Sequence, residues 1–284
     1  MSCALWSDPQ EARQTLAQAL RLAIDAGKVI RELGVEMAVM DKGLGHDVVT
    51  EADRRAETLI VDGLAAAFPD HRIVGEEGSG RGPETALRCW HVDPLDGTAN
   101  FSRSIPYWAV SIGLAWRGKP VLGVIHAPEL GLTLEVIRSQ GVWLNDQPLA
   151  PARAVEEDPR RWIVAVDWPW DLAERQRTCA LLSALAPRIR QYKTYGSAAL
   201  DCLNLARGRL DAYCISDVFS WDLCAGAAAL QELGFSLADW QGQPWRLGRG
   251  AIRACRPGGQ ELLDACCHRA WQDGIILPGE SACS

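Results

Sequence analysis

Two carboxylates stand three positions apart in Asp93-Pro94-Leu95-Asp96-Gly97-Thr98, directly after the strand-like run Trp90-His91-Val92. Pro94 restricts the backbone and Gly97 permits a tight turn, so both acids are able to face one point with the Leu95 carbonyl between them. Such a mixture of carboxylate, carbonyl and water oxygens suits a hard cation such as magnesium. Acid pairs in loops also serve as turn formers or solvated charges, so this pair alone does not decide. It has company, however. Gly75-Glu76-Glu77 sets another acidic pair after the short apolar strand Ile73-Val74, and Trp221-Asp222 sets an acid at a helix start, as a ligand or simply as a cap for free amides. Three acidic stations on separate elements meet the needs of multi-metal phosphoryl transfer, in which neighbouring cations require shared and separate carboxylates. Cations there neutralise the phosphate dianion and leaving oxygen and lower the pKa of the attacking water. Amides of Gly97 and Thr98, at a predicted helix start, offer further donors to phosphate oxygens.

The elements that must hold these stations follow from periodicity. Asp8, Pro9 and Glu11 read as N-cap, first-turn proline and capping-box partner of a long helix with Leu16, Leu20, Ala23, Ile24, Gly27 and Ile30 at helical spacing. A second helix begins after Thr50, places Ala52, Ala56, Leu59, Ile60, Gly63 and Leu64 on one face, and stops before Pro69. From Arg88 to Trp143 the pattern becomes a meander of strands: Arg88 to Val92, Tyr107 to Trp116, Val121 to Ala127, Leu132 to Ile137 and Val142 to Leu144. Beyond Pro151 strands and helices alternate. The strands are Trp162 to Val166, Ile189 to Lys193 and Asp211 to Ile215; the helices are Leu172 to Leu185, Ser197 to Arg207 and Trp221 to Leu233. The polar stretch Ala150 to Pro159 divides an N-terminal α+β lobe, 1–150, from a C-terminal α/β lobe, 151–284, with the site expected between them.

Composition narrows the partners. With 48% hydrophobic residues among 284, the chain has material for a large core. A formal charge of -7 disfavours a nucleic-acid backbone as main partner, while small anions need only a local cationic site. Neither a signal peptide nor an apolar run long enough to span a membrane is visible, which predicts a cytoplasmic protein. The 10 cysteines lack zinc-ligand spacing and read as reduced core residues, including the adjacent Cys266 and Cys267. His46, His71, His91, His126 and His268 also lack ligand spacing, and His91 reads as a packing or supporting residue beside the acidic loop.

Taken in order, Asp47-Val48-Val49-Thr50-Glu51-Ala52-Asp53, Gly75-Glu76-Glu77, Asp93 to Phe101, Gly196-Ser197-Ala198-Ala199 and Trp221-Asp222-Leu223-Cys224-Ala225-Gly226 resemble the inositol monophosphatase family over nearly the whole chain. The resemblance implies a layered αβαβα sandwich of the sugar-phosphatase type and a lithium-sensitive, magnesium-dependent phosphomonoesterase that forms a homodimer. It also implies that Glu76, Asp93 and the Leu95 carbonyl hold one Mg2+, and that Asp93, Asp96 and Asp222 hold a second. A third, weaker ion would share Glu76. Thr98 would pair with Asp53 to orient or deprotonate the attacking water, although Asp53 also has the spacing of a capping-box acid after Thr50. Gly97, Thr98, Gly196, Ser197, Ala198 and Asp222 would contact substrate. Lys42 matches a lysine that the family uses near the attacking water; its default reading is a surface residue.

Substrate choice departs from the inositol-specific pattern, which carries a hydrogen-bonding glutamate where this chain has Ile215. Asp217 is a possible substitute. The segment Asp167-Trp168-Pro169-Trp170-Asp171 offers either packing residues or an aromatic wall near the ligand crevice. The expected substrate is thus a small phosphate monoester, with inositol-1-phosphate or a related polyol phosphate first. Histidinol phosphate and a 3'(2'),5'-bisphosphate nucleotide are alternatives. A third reading is a regulatory binding protein that keeps the fold, as in bacterial relatives that associate with the transcription machinery.

Overall fold

The computed structural model describes residues 5–6, 8–34, 40–41, 48–49 and 51–273. Lys42, Asp47 and Thr50 lie outside them. Helix α1 (Pro9–Leu33) starts as its cap predicts: the Asp8 carboxylate accepts from the amides of Gln10 and Glu11. The Glu11 carboxylate reaches Arg88 at 2.8 Å, so it ties the helix to the sheet below. A two-stranded ribbon of β1 (Met40–Asp41) and β2 (Val48–Val49) precedes α2 (Glu51–Ala67).

A seven-stranded sheet follows, in the order β3 (Arg72–Gly75), β4 (Arg88–Asp96), β5 (Ala109–Trp116), β6 (Lys119–Ala127), β7 (Leu132–Ile137), β8 (Gly141–Leu144) and β9 (Gln147–Pro148). The expected antiparallel meander runs from β4 to β9, and β3 joins β4 in parallel. The short α3 (Thr98–Phe101) lies between β4 and β5. Further along the chain are β10 (Ile163–Val166), α4 (Leu172–Leu185), β11 (Gln191–Lys193), α5 (Ala198–Ala206), β12 (Ala212–Val218), α6 (Ser220–Glu232), β13 (Ser236–Ala238), β14 (Gly250–Cys255) and α7 (Gln260–Asp273). These strands form a second sheet, ordered β11-β10-β12-β14-β13, parallel around β10 and antiparallel around β14.

Side-chain alternation turns these elements into layers. Val110, Ile112, Leu114 and Val124 pack against α1 and α2, whereas Ile125, Ala127, Leu134 and Val136 face α5 and α6. On β12, Tyr213 and Ile215 join that central layer, and Ala212 and Cys214 point outward to α4 and α7. The result is the αβαβα sandwich that the resemblance implied. Contact between α6 and the first sheet is close: a Cβ built on Gly113 or Gly123 would lie 2.6 Å from atoms of α6. That approach fixes the helix carrying Asp222 over the strand carrying Asp93. Cys202, Cys214, Cys224, Cys255, Cys266 and Cys267 are buried free thiols, as expected of core cysteines.

Candidate metal and phosphate site

The acidic loop is a bulge at the end of β4. Asp93 pairs with Ser111 and Asp96 with Ala109, so the strand carries one residue more than its partner here. In a regular strand, residues three apart point to opposite faces; the extra residue turns Asp96 back to the side of Asp93. Gly97 completes the turn at φ 96, where its missing Cβ would sit 2.8 Å from the Tyr107 carbonyl. Asp222, in the first turn of α6, supplies the third carboxylate. One oxygen from each of Asp93, Asp96 and Asp222 lies within 4.8 Å of the others. Asp222 also caps its helix, accepting from the Phe219 amide at 2.9 Å, so the capping reading of this acid holds.

Glu76 reaches the same cluster from the end of β3. Its amide donates to the Val92 carbonyl at 3.1 Å, and its carboxyl is in hydrogen-bond contact with Asp93. Burial, followed by the charges of Glu76, Asp96 and Asp222, holds the Asp93 carboxyl far above the usual carboxylate range. Asp96 is pushed up to about 8 by burial and then by Asp222, against the opposing bonds from Ser197 and Ala199. Asp222 is raised to about 6, again chiefly by burial. Among the described residues no basic side chain pairs with Asp93, Asp96 or Asp222. Buried Asp93 and Asp96 beside half-buried Asp222, with converging oxygens and no basic partner among the described residues, demand either protons or a cation, and an all-oxygen donor set suits magnesium.

Thr98 and Asp53 lie beside them. The Thr98 hydroxyl is 3.1 Å from Asp53 Oδ1 on α2 and donates to the Leu95 carbonyl at 2.9 Å. A hydroxyl has one proton, so it serves these acceptors alternately or as a bifurcated donor. Asp53 is buried, and its carboxylate faces Thr98, so the structure brings together the two residues that the resemblance pairs.

Across the cluster, Asp96 Oδ2 accepts from the Ser197 hydroxyl at 2.5 Å and the Ala199 amide at 2.7 Å. Ser197 is the N-cap of α5, and Asp96 thereby reads the positive end of that helix. The Gly196 amide, assigned to substrate by the resemblance, is spent within the protein: it donates to Asp167 Oδ1 at 3.0 Å. Its carbonyl accepts from Asn100 at 3.3 Å. Gly196 therefore shapes the elbow before α5.

Residues 11–274 match the inositol monophosphatase family. The chain belongs to that family. It is 32% identical to the inositol-1-monophosphatase of Bacillus subtilis over 231 residues, covering 78% of this chain and 86% of that one. It is 31% identical to the Nus factor SuhB of Vibrio cholerae over 257 residues, covering 86% and 92% respectively. Among solved structures, the Thermotoga maritima IMPase superposes with a TM-score of 0.82 at 25% identity, covering 92% of this chain and 99% of that one. The extragenic suppressor protein SuhB of Bartonella henselae gives 0.80 at 28%, covering 89% and 98%.

Within this inositol monophosphatase family chain, three buried acids escaped the sequence reading. Glu57 on α2 accepts amides of the loop after Glu76. Asp167 and Asp201 lie near each other beneath the α5 elbow, with Tyr107 donating to Asp201 at 2.8 Å and Tyr213 to Asp167 at 3.2 Å. Burial raises both carboxyls, and the charge of Asp167 raises Asp201 further. Their signal was an acid within an apolar helix face, as in Ala198-Ala199-Leu200-Asp201-Cys202-Leu203. His91, lowered to about 4 by burial and Arg72, is hydrogen-bonded to Ser220 at 2.9 Å and so braces the start of the Asp222 helix. Ile215 is buried in the central layer, on the β12 face that also carries Tyr213. Trp168 and Trp170 are not packed in the core of the chain: both are exposed, at 44% and 52%, because Arg175 and Asp171 draw this segment into a surface cap of α4.

Proposed function

We propose that the chain is a magnesium-dependent phosphatase that hydrolyses a small phosphate monoester by direct attack of water. The observation that carries this reading is the convergence of buried Asp93 and Asp96 with half-buried Asp222, with Glu76 in contact and the Thr98–Asp53 pair alongside. Glu76, Asp93, Asp96, Asp222 and the Leu95 carbonyl would hold two to three Mg2+ ions. Bound there, magnesium supplies charge neutralisation for the phosphate and leaving oxygen and acidifies the attacking water. Asp53 accepts the Thr98 proton, which leaves the Thr98 oxygen free to take a proton from water. The amides of Gly97, Thr98 and Ala198 and the N-terminus of α5 orient phosphate oxygens.

Inositol-1-phosphate or a related polyol phosphate is the first substrate choice, from the names of relatives such as the Bacillus subtilis protein. A second reading rests on Ile215, which offers no hydroxyl acceptor, and on the exposed Trp168 and Trp170: an ester bearing a planar ring, such as histidinol phosphate or a bisphosphorylated nucleoside. The proposal includes a homodimer and inhibition by lithium at the Asp93, Asp96 and Asp222 station. Relatives named Nus factor supply the non-enzymatic alternative, a regulatory binding protein. Phosphate release from a panel of these esters, with and without magnesium, tests the set. Magnesium-dependent release from one ester class supports the phosphatase; undiminished release after exhaustive chelation, or no release from any ester, overturns it.

A further inference from the structure

We infer that Glu57 is a positioning residue that sets Glu76 at the cation site, an inference resting on the metal-site reading above. Glu57 is fully buried on α2, one turn beyond Asp53, and both acids turn from the helix toward the site. Its two oxygens are committed to different amides: Oε2 accepts from Glu77 at 2.7 Å and Oε1 from Ser79 at 2.9 Å. These amides bracket the turn immediately after Glu76. A carboxylate accepting two backbone amides in a buried setting fixes the orientation of that turn far more tightly than a neutral acceptor would. Gly75 completes the fit, because a Cβ there would lie 2.5 Å from Glu57 Oε2. Strand β3 thus ends on a glycine that leaves room for Glu57, and Glu76 follows with its amide on Val92 and its carboxyl on Asp93. Through Asp53 and Glu57, a single helix holds the water-activating hydroxyl and the metal-binding loop in fixed relation.

Orienting partners of metal ligands are worth about 10- to 100-fold in metal affinity. The test is Mn2+ binding, followed by the electron paramagnetic resonance of the free ion, in wild type, Glu57→Gln, Glu76→Gln and the double variant. Glu57→Gln keeps the side chain's size but sets an NH2 group against one amide donor. Binding at the Glu76-dependent site is expected to weaken at least tenfold in Glu57→Gln, with no further loss when Glu57→Gln is added to Glu76→Gln. Gly75→Ala, which crowds Glu57 from the strand side, is expected to give the same selective loss. Melting in chelator reports whether each variant is folded. If Glu76→Gln binds Mn2+ like wild type, the metal-site reading fails. If Glu76→Gln weakens binding while folded Glu57→Gln and Gly75→Ala do not, the positioning role fails. If Glu57→Gln weakens binding equally in the Glu76→Gln background, Glu57 acts through its charge and the inference is overturned.

Discussion

Asp96 faces two ways, with one oxygen taken by Ser197 and Ala199 and the carboxylate as a whole within reach of Asp93 and Asp222. In Asp96→Asn the amide oxygen keeps the two donors on α5, which turns the NH2 group toward the cation position. A metal ligand is then replaced by a donor while the helix cap survives. The expected loss is several kcal/mol of transition-state stabilisation, on the order of 100- to 1000-fold in kcat. Melting in chelator near pH 8 should show the variant at least as stable as wild type, since a buried acid that is costly to ionise has been replaced by a neutral group. Near-normal turnover would remove Asp96 from the metal set. Ile215→Glu asks a different question at the same scale. A carboxylate placed in this buried apolar face lowers stability, but it adds an acceptor at the position where the family resemblance implies one. Inositol-1-phosphate should then gain over histidinol phosphate by one hydrogen bond to a charged group, about 1.5–3 kcal/mol. The ratio of the two kcat/KM values is the readout, because it does not depend on the fraction of enzyme folded. An unchanged ratio shows that Ile215 does not contact the alcohol portion of the substrate.

Elements bring these residues together, and the close seat of α6 on β5 and β6 is the critical contact. Gly123→Ala places a methyl 2.6 Å from the Ala225 Cα, so α6 must lift and carry Asp222 with it. Overpacking of this kind costs about 1–3 kcal/mol in urea denaturation and should weaken magnesium binding in the same variant. Gly248→Ala, with open space around it, is the control and should stay within about 0.5 kcal/mol. The helices α1 and α4 and the strand β7 were legible because caps and periodicity are local signals: Asp8-Pro9 opens the first helix, and Leu172 to Leu185 emerged with the bounds the sequence predicted. Two kinds of feature were not legible. The bulge between Asp93 and Asp96 depends on what β5 offers as a partner, which no window of β4 contains, so the strand was ended at Val92 rather than Asp96. The parallel pairing of β3 and the placement of β13 and β14 depend likewise on long-range partners. The converging carboxylates were readable from spacing, but Glu57 and Asp201 were not, because a buried supporting acid looks like an ordinary polar residue until its amide or hydroxyl partner is brought alongside.

At the scale of the whole molecule, the same carboxylates couple folding to protons and cations. Without a cation, the folded state raises Asp222 to about 6 and Asp96 to about 8, and it holds Asp93 well above its ordinary range, with burial as the leading cause throughout. In the unfolded chain these groups titrate near about 3.9. The folded protein therefore binds more protons than the unfolded one between those values, and its stability falls as pH rises through that window. Below about pH 4 the protonated acids are accommodated in both states, so their contribution is fully present there; it is lost progressively up to about pH 8. A bound cation reverses the preference, since it stabilises the ionised carboxylates and must displace their protons to bind. Its stabilisation grows with the ratio of free cation to dissociation constant, so a fixed magnesium concentration acts more strongly where the sites are already ionised. The expected result is a magnesium-induced rise in Tm that is clearly larger at pH 8 than at pH 5.5. In Asp96→Asn, which lacks one of the titrating groups, both the decline of metal-free Tm with pH and the pH dependence of the magnesium effect should be shallower. Thermal melts of both proteins at the two pH values, in chelator and in saturating magnesium, measure all four quantities. Equal magnesium shifts at both pH values in the wild type would mean that proton release is not coupled to cation binding, and that the buried acids are not the ligands.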